Sequence, residues 1–365
     1  MRKPSRAGMP VVVKVGSSSL TGPDGSVSDA AITRVVDQVE GLWASARPTV
    51  LVTSAAVAAG LPAMGLSERP RDLPGLQVAA AVGQGLLMGR YSSAFGERDR
   101  VVGQVLLTRD VLAHRGQYLH AREALGRMLA LGVVPIVNEN DTVVVDELKL
   151  GDNDRLAAIV SHLVGAAMLV ILTDTAGLYS GDPRRDDDAE LLSAVRHTDA
   201  ILDELHSTRG GRFGSGGVAT KVAAARMAAW SGIPTVIADA TVPDVALRAA
   251  AGEDVGTWIE PHEAGLTARK LWIAFGQSVA GRVVVDAGAA RALIERGKSL
   301  LPVGVIEVGG RFDAGSAIEV ATPDGAVIGK GLAGMAAHEV ESALGQHTEV
   351  AGGAVIHRDD LVILV

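Results

Sequence analysis

The stretch Val133–Asp174, VVPIVNENDTVVVDELKLGDNDRLAAIVSHLVGAAMLVILTD, contains an apolar run, a polar turn, a helix-periodic segment and a second apolar run. VVPIVN (133–138) and MLVILTD (168–174) are short, β-branched and free of charge until they end, as strands buried on both faces are. Between them, Asp152–Leu163 carries apolar residues at helical spacing behind an acidic, amide-rich start suited to capping. Strand, helix, strand with no hairpin turn between is the unit of a parallel sheet. Ligands in such sheets gather beyond the carboxyl ends of the strands, here at Asn138–Asp141 and Thr173-Asp174.

The same alternation extends in both directions. VVVKV (11–15), TVLVTS (49–54), VVGQVLL (101–107) and IPTVIAD (233–239) read as further strands, and Ala-, Leu- and Arg-rich stretches such as Val218–Ser231 read as the helices between them. The expectation is an α/β fold, an αβα sandwich with a mainly parallel central sheet. From Arg282 onward the runs become short and alternating (RVVVD, GVIEVGG, SAIEV, GAVIGKG, LVILV), separated by Gly, Asp-Gly and Pro-Asp turns, with one helical patch at Ala289–Arg296. That pattern predicts a small C-terminal β-barrel of about 80 residues. The boundaries expected are 1–262 for the first domain, 263–278 for a connector and 279–365 for the second.

With 365 residues, 48% of them hydrophobic, there is material for two cores. No cysteine is present, which excludes disulfides, thiolate metal sites and a cysteine nucleophile. The longest apolar run, Leu163–Leu172, is about half of what spans a bilayer, and no signal-peptide core follows the basic start. A cytoplasmic protein without membrane contact is expected. Its net charge of −8 disfavours broad nucleic-acid binding.

Four clusters carry polar chemistry at predicted strand ends. In KVGSSSL, Lys14 precedes Gly16 and three serines, a geometry that aims an ammonium at an anion or, more plainly, at solvent. GGRFGSGGVATK (210–221) places five glycines before a helix start with Lys221 in its first turn; this suits a polyphosphate or a surface loop. NENDTV (138–143) and GDNDRLAAIV (151–160) bring Asp141, Asn153 and Asp154 to a strand end and a helix start. They could be ordinary caps, or they could hold an ammonium, orient lysines or contact hydrated Mg²⁺. LTDTAGLYSGDPR (172–184) runs from a strand into a turn at Thr173-Asp174.

Taken in order, KVGSSSL, TSAAVAAG, AAVGQ, LLTRDV, NENDTV, GDNDRLAA, LTDTAGLYSGDPR and GSGGVATK resemble the amino-acid kinase family, in particular its glutamate-phosphorylating branch. The tail from Gly281 resembles the PUA domain appended to bacterial members. The resemblance implies ATP-dependent phosphorylation of the side-chain carboxylate of L-glutamate, the first step of proline biosynthesis, with Mg²⁺ accompanying ATP and no protein metal ligand assigned. By the same resemblance, Lys14 binds ATP phosphates, Lys221 stabilises the transferring phosphoryl group, and Asp154 fixes both lysines. Ser54, Asp141 and Asn153 hold glutamate: Asp141 pairs with its α-ammonium, and the Asn153 amide bonds its α-carboxylate. Thr173 and Asp174 receive the nucleotide together with Ser215, Gly216, Gly217, Val218, Ala219, Thr220 and Lys221. The family also implies a homo-oligomer and feedback inhibition by proline. One departure stands out: Ser54-Ala55-Ala56 occupies the place of the family's Ser-Gly-Ala, so a positive φ there would strain Ala55.

Other readings have their own sequence tests. A kinase of acetylglutamate or aspartate would share the four clusters but would lack the PUA-like tail. A nicotinamide-dependent oxidoreductase needs GxGxxG after the first strand, where this chain has Gly16-Ser17-Ser18-Ser19. RNA binding through the tail needs a basic patch, yet residues 279–365 hold 7 Lys+Arg against 11 Asp+Glu, a balance of 7 − 11 = −4.

Overall fold

The computed structural model describes residues 2–143, 153–183, 186–199, 201–202, 205, 217–263, 265–345 and 353–365. The chain divides into two compact units, Met1–Gly265 and Leu266–Val365.

The first unit is built on eight strands: β1 (Val11–Val15), β2 (Thr49–Val52), β3 (Val102–Leu107), β4 (Val134–Glu139), β5 (Met168–Thr173), β6 (Ala194–Arg196), β7 (Thr235–Asp239) and β8 (Thr257–Glu260). They lie in the order β3-β4-β2-β1-β5-β7-β8-β6. Every pairing is parallel except β7 with β8. All residues of β1, β2, β4 and β5 are buried, which requires helices on both sheet faces and explains the uninterrupted apolar runs. Edge strand β3 is only half buried. β6 and β8 have no counterpart among the strands read from sequence, because three or four residues are too few to show a period.

The covering helices of this unit are α1 (Asp29–Ala44), α2 (Ala56–Ala63), α3 (Leu73–Gly96), α4 (Arg115–Ala130), α5 (Asn153–Val164), α6 (Val218–Trp230) and α7 (Val245–Ala250). Ser28 and Asp72 cap α1 and α3, accepting from the Ala31 and Gly75 amides. α2 and α3 cross at glycines: a Cβ on Gly83 would collide with the Ala56 carbonyl oxygen, and one on Gly60 with that of Ala79. This crossing fixes which residues of α3 face the sheet.

The second unit holds a five-stranded mixed sheet in the order β10-β9-β11-β12-β13, from β9 (Gly281–Val285), β10 (Val305–Gly310), β11 (Ala317–Ala321), β12 (Val327–Ala333) and β13 (Ile356–Ile363). Helices α8 (Ala287–Arg296) and α9 (Ala337–Ser342) complete its core. The segment read as a connector supplies Ile273 and Ala274, which pack against Val362 of β13. Lys330 is buried and donates to the carbonyls of Ala274 (3.1 Å) and Gln277 (2.6 Å). No helix among the described residues is long and apolar enough to cross a membrane.

Candidate active site

Parallel register aligns the strand ends. Lys14 pairs with Val52 and Ile171, and Val52 pairs with Val137. Gly16 and Asp174 come directly after β1 and β5, Ser54 is the second residue past β2, and Asn138 lies one step past Val137. Sequence clusters as far apart as Gly16 and Asp174 thus share one edge of the sheet.

At the centre of that edge is Asp154, in the first turn of α5 and only 2% exposed. Lys14 Nζ lies 2.6 Å from its Oδ1, Lys221 Nζ 3.8 Å from its Oδ2, and the Thr220 hydroxyl donates to Oδ2 at 2.7 Å. Burial would push the Asp154 carboxyl up. The charges of Lys14 and Lys221 and the hydrogen bonds outweigh it, so the group sits below the ordinary carboxylate value. Gly16 keeps room beside Lys14, since a Cβ there would lie 3.4 Å from Nζ. Gly217, the cap of α6, faces open space. Two cations, one buried anion and a glycine-opened helix start leave net positive charge where an anion could dock.

Beside this cluster, Ser17, Ser54, Ala55, Arg69, Asn138, Asp141 and Asn153 line a cavity. Asp141 Oδ1 is buried and has no hydrogen-bond partner among the described residues. Burial, then the neighbouring charge of Glu139, push the Asp141 carboxyl up to about 7, against a partial opposing pull from Arg69. Asn153 Nδ2 donates to the Thr53 carbonyl (2.9 Å), Ser54 Oγ (3.1 Å) and Asn138 Oδ1 (2.9 Å), while its own Oδ1 is buried without a partner among the described residues. The expectation that this amide bonds a substrate carboxylate does not fit that geometry. Its NH₂ is turned inward and consumed, and the atom left over is an acceptor. Behind Ser54, the Thr53 hydroxyl lies 2.8 Å from the fully buried Tyr91 hydroxyl.

Ala55, beside Ser54, has φ 76° and ψ 16°, the left-handed conformation anticipated for the family glycine. A non-glycine residue there carries about 1–2 kcal/mol of strain.

Thr173 ends β5 and donates to Asp174 Oδ1 at 3.1 Å; Asp174 is exposed. The sheet register places this pair on the same edge as Lys14. Gly217, Val218, Ala219, Thr220 and Lys221 form the start of α6. Ser215 and Gly216 lie outside the described residues. Sequence reasoning did not single out Arg69, an exposed arginine in a charged loop, or Gln84, whose Oε1 accepts from Asn138 Nδ2 at 2.7 Å. The AAVGQ motif was the only signal for Gln84, and Arg69 had none.

An α/β sheet with two lysines, a buried aspartate and a glycine-opened helix start at one edge is an arrangement suited to a phosphate-bearing ligand. The chain belongs to the amino acid kinase family, whose model matches residues 9–239, and it carries a PUA domain matched over residues 281–350. Relatives named glutamate 5-kinase from Geobacter metallireducens and Moorella thermoacetica are 43% and 44% identical to it over 362 residues, covering 97% of this chain and 97% and 96% of theirs. A further glutamate 5-kinase, from Geobacter sp. (strain M21), is 46% identical over 365 residues, with 97% of each chain covered.

Proposed function

We propose that this chain is an ATP-dependent kinase that transfers the γ-phosphoryl group to the side-chain carboxylate of L-glutamate, giving L-glutamyl 5-phosphate for proline biosynthesis. Near-full-length similarity to glutamate 5-kinases supports the reading. The observation that carries it is the junction of two sites: a cation pair on Asp154 beside a cavity that offers Asp141 and Ser54 to an amino acid.

A glutamate side chain has a pKa of about 4.3 and is ionised at neutral pH, so attack on phosphorus needs no general base. The obstacle is repulsion between that carboxylate and the polyphosphate. Lys14 and Lys221 oppose it with positive charge held in place before reaction, and Asp154 keeps the two ammonium groups from separating. Thr173, Asp174 and the start of α6 receive the nucleotide. Among the described residues no group of three or more carboxylates or imidazoles is placed to hold a metal ion. Mg²⁺ accompanying the nucleotide would add further positive charge beside the phosphates.

In the cavity, Asp141 faces the α-ammonium. The Ser54 hydroxyl accepts from Asn153, so its proton is free to be donated to the α-carboxylate, which Arg69 also attracts. An N-acylated substrate would bring no ammonium to the Asp141 carboxylate, which argues against an acetylglutamate kinase. Hydroxylamine trapping of acyl phosphate, with ATP, Mg²⁺ and a panel of glutamate, N-acetylglutamate and aspartate, tests this. Hydroxamate from glutamate alone is expected, and a preference for either other acceptor overturns it.

A further inference from the structure

We propose that Gln84 and Asn138 are positioning residues that fix Asn153 with its oxygen toward the pocket, making it a second acceptor for the substrate's ammonium group beside Asp141. The inference rests on the glutamate reading above and assigns the part of that site that selects a free amine.

Backbone atoms of known polarity determine the direction of every amide in the chain of contacts. The Thr53 carbonyl can only accept, so the Asn153 atom 2.9 Å from it must be Nδ2. The Glu139 backbone N–H can only donate, so the Asn138 atom 2.9 Å from it must be Oδ1. That oxygen also takes the Asn153 NH₂ at 2.9 Å, which turns Asn138 Nδ2 toward Gln84, whose Oε1 accepts it at 2.7 Å. All three side chains are buried, at 8% (Gln84), 1% (Asn138) and 3% (Asn153) exposure.

Two atoms are left over, and they differ in meaning. Asn153 Oδ1 belongs to a residue lining the cavity and, among the described residues, has no donor; a substrate ammonium supplies one. Gln84 Nε2 is also buried without a partner among the described residues. A side chain present only to fill α3's inner face would be apolar and would carry no unmet donor. Keeping glutamine here is intelligible if its Oε1 is the part in use. Gln84 directly follows Gly83, where α3 crosses α2 too closely to admit a Cβ.

The test compares L-glutamate with glutarate, which has the same two carboxylates and no amine. Gln84→Met removes the acceptor and leaves Asn138 Nδ2 buried without one, so Asn138 shifts and loosens its hold on Asn153. The KM for glutamate should rise about tenfold, while kcat, the KM for ATP and the inhibition constant of glutarate stay within about twofold. Gln84→Glu keeps an accepting oxygen and should restore the wild-type KM within about threefold. Gln84→Leu removes the same acceptor with a different side-chain shape and should give the same split, which serves if Gln84→Met does not fold. A parallel loss for glutamate and glutarate, an unmoved glutamate KM, or a Gln84→Glu variant as poor as Gln84→Met overturns the inference. A wild-type protein that makes no hydroxamate from glutamate would instead defeat the reading beneath it.

Discussion

Lys14 and Lys221 hold opposite oxygens of one carboxylate, that of Asp154, at 2.6 and 3.8 Å, and Asp154 is nearly inaccessible to water. Removing its charge leaves two ammonium groups facing each other in a largely buried site. Asp154→Asn is expected to lower kcat about 10²-fold or more and to cost about 3 kcal/mol in stability by urea unfolding without nucleotide. Saturating ATP should recover part of that loss, because its phosphates supply the missing negative charge. The native pKa of Asp154 is depressed, so its contribution is whole above the unfolded value and is lost as pH falls through the native one. The variant should therefore show a flatter acid limb below about pH 4. An Asp154→Asn variant as stable and as active as wild type would show that the lysines do not depend on this carboxylate.

Asp141 works in the opposite direction. Its native pKa of about 7 lies above the unfolded value, so the stability tied to its protonation is complete below about pH 4 and is lost as pH rises through 7. Substrate binding follows the ionised fraction, which grows about tenfold between pH 6 and 8 for a group of pKa 7. The KM for glutamate should fall by a similar factor over that range while the KM for ATP stays level. Asp141→Asn should raise the glutamate KM and erase the inflection. A flat wild-type profile would place the ammonium elsewhere.

Gly83→Ala puts a methyl group into the Ala56 carbonyl and must push α2 away from α3. Since α2 begins immediately after Ser54-Ala55, the displacement should reach the cavity. A stability loss of about 2 kcal/mol or more, read as a lower Tm, should be accompanied by a raised glutamate KM. An unchanged Tm would mean that the helices can separate at no cost.

The edge of the sheet was legible because strand ends declare themselves: Lys14, Ser54, Asp141, Asn153, Asp154, Thr173 and Lys221 all fall where an apolar run stops or a helix starts. Ala55 was legible too, through the glycine it replaces, and its φ of 76° agrees. Gln84 was not, because it sits in mid-helix among alanines and its partner is 54 residues away. The polarity of Asn153 depends on a carbonyl 100 residues distant, which no local pattern encodes. Arg69 enters through its charge near Asp141, a tertiary effect.

The second unit contributes none of the residues assigned to glutamate or ATP. Deleting it from Leu266 should leave kcat within about threefold of the full chain, since each assigned charge pair lies in the first unit. A cut at Gly281 is the worse choice, because Ile273 and Ala274 would lose Val362 and expose apolar surface. A soluble protein ending at Gly265 without activity would show that the PUA domain helps build the site.

The central claim is that the side-chain carboxylate of glutamate attacks the γ-phosphorus of ATP. Glutamate labelled with heavy oxygen in that carboxylate, incubated with the full chain, ATP, Mg²⁺ and hydroxylamine, tests it directly. Hydroxylamine cleaves the acyl phosphate at carbon and leaves the bridging oxygen on phosphorus. The account predicts γ-glutamyl hydroxamate and released phosphate carrying a single heavy oxygen from the amino acid. Unlabelled phosphate, formed at the same rate with or without glutamate, would contradict it.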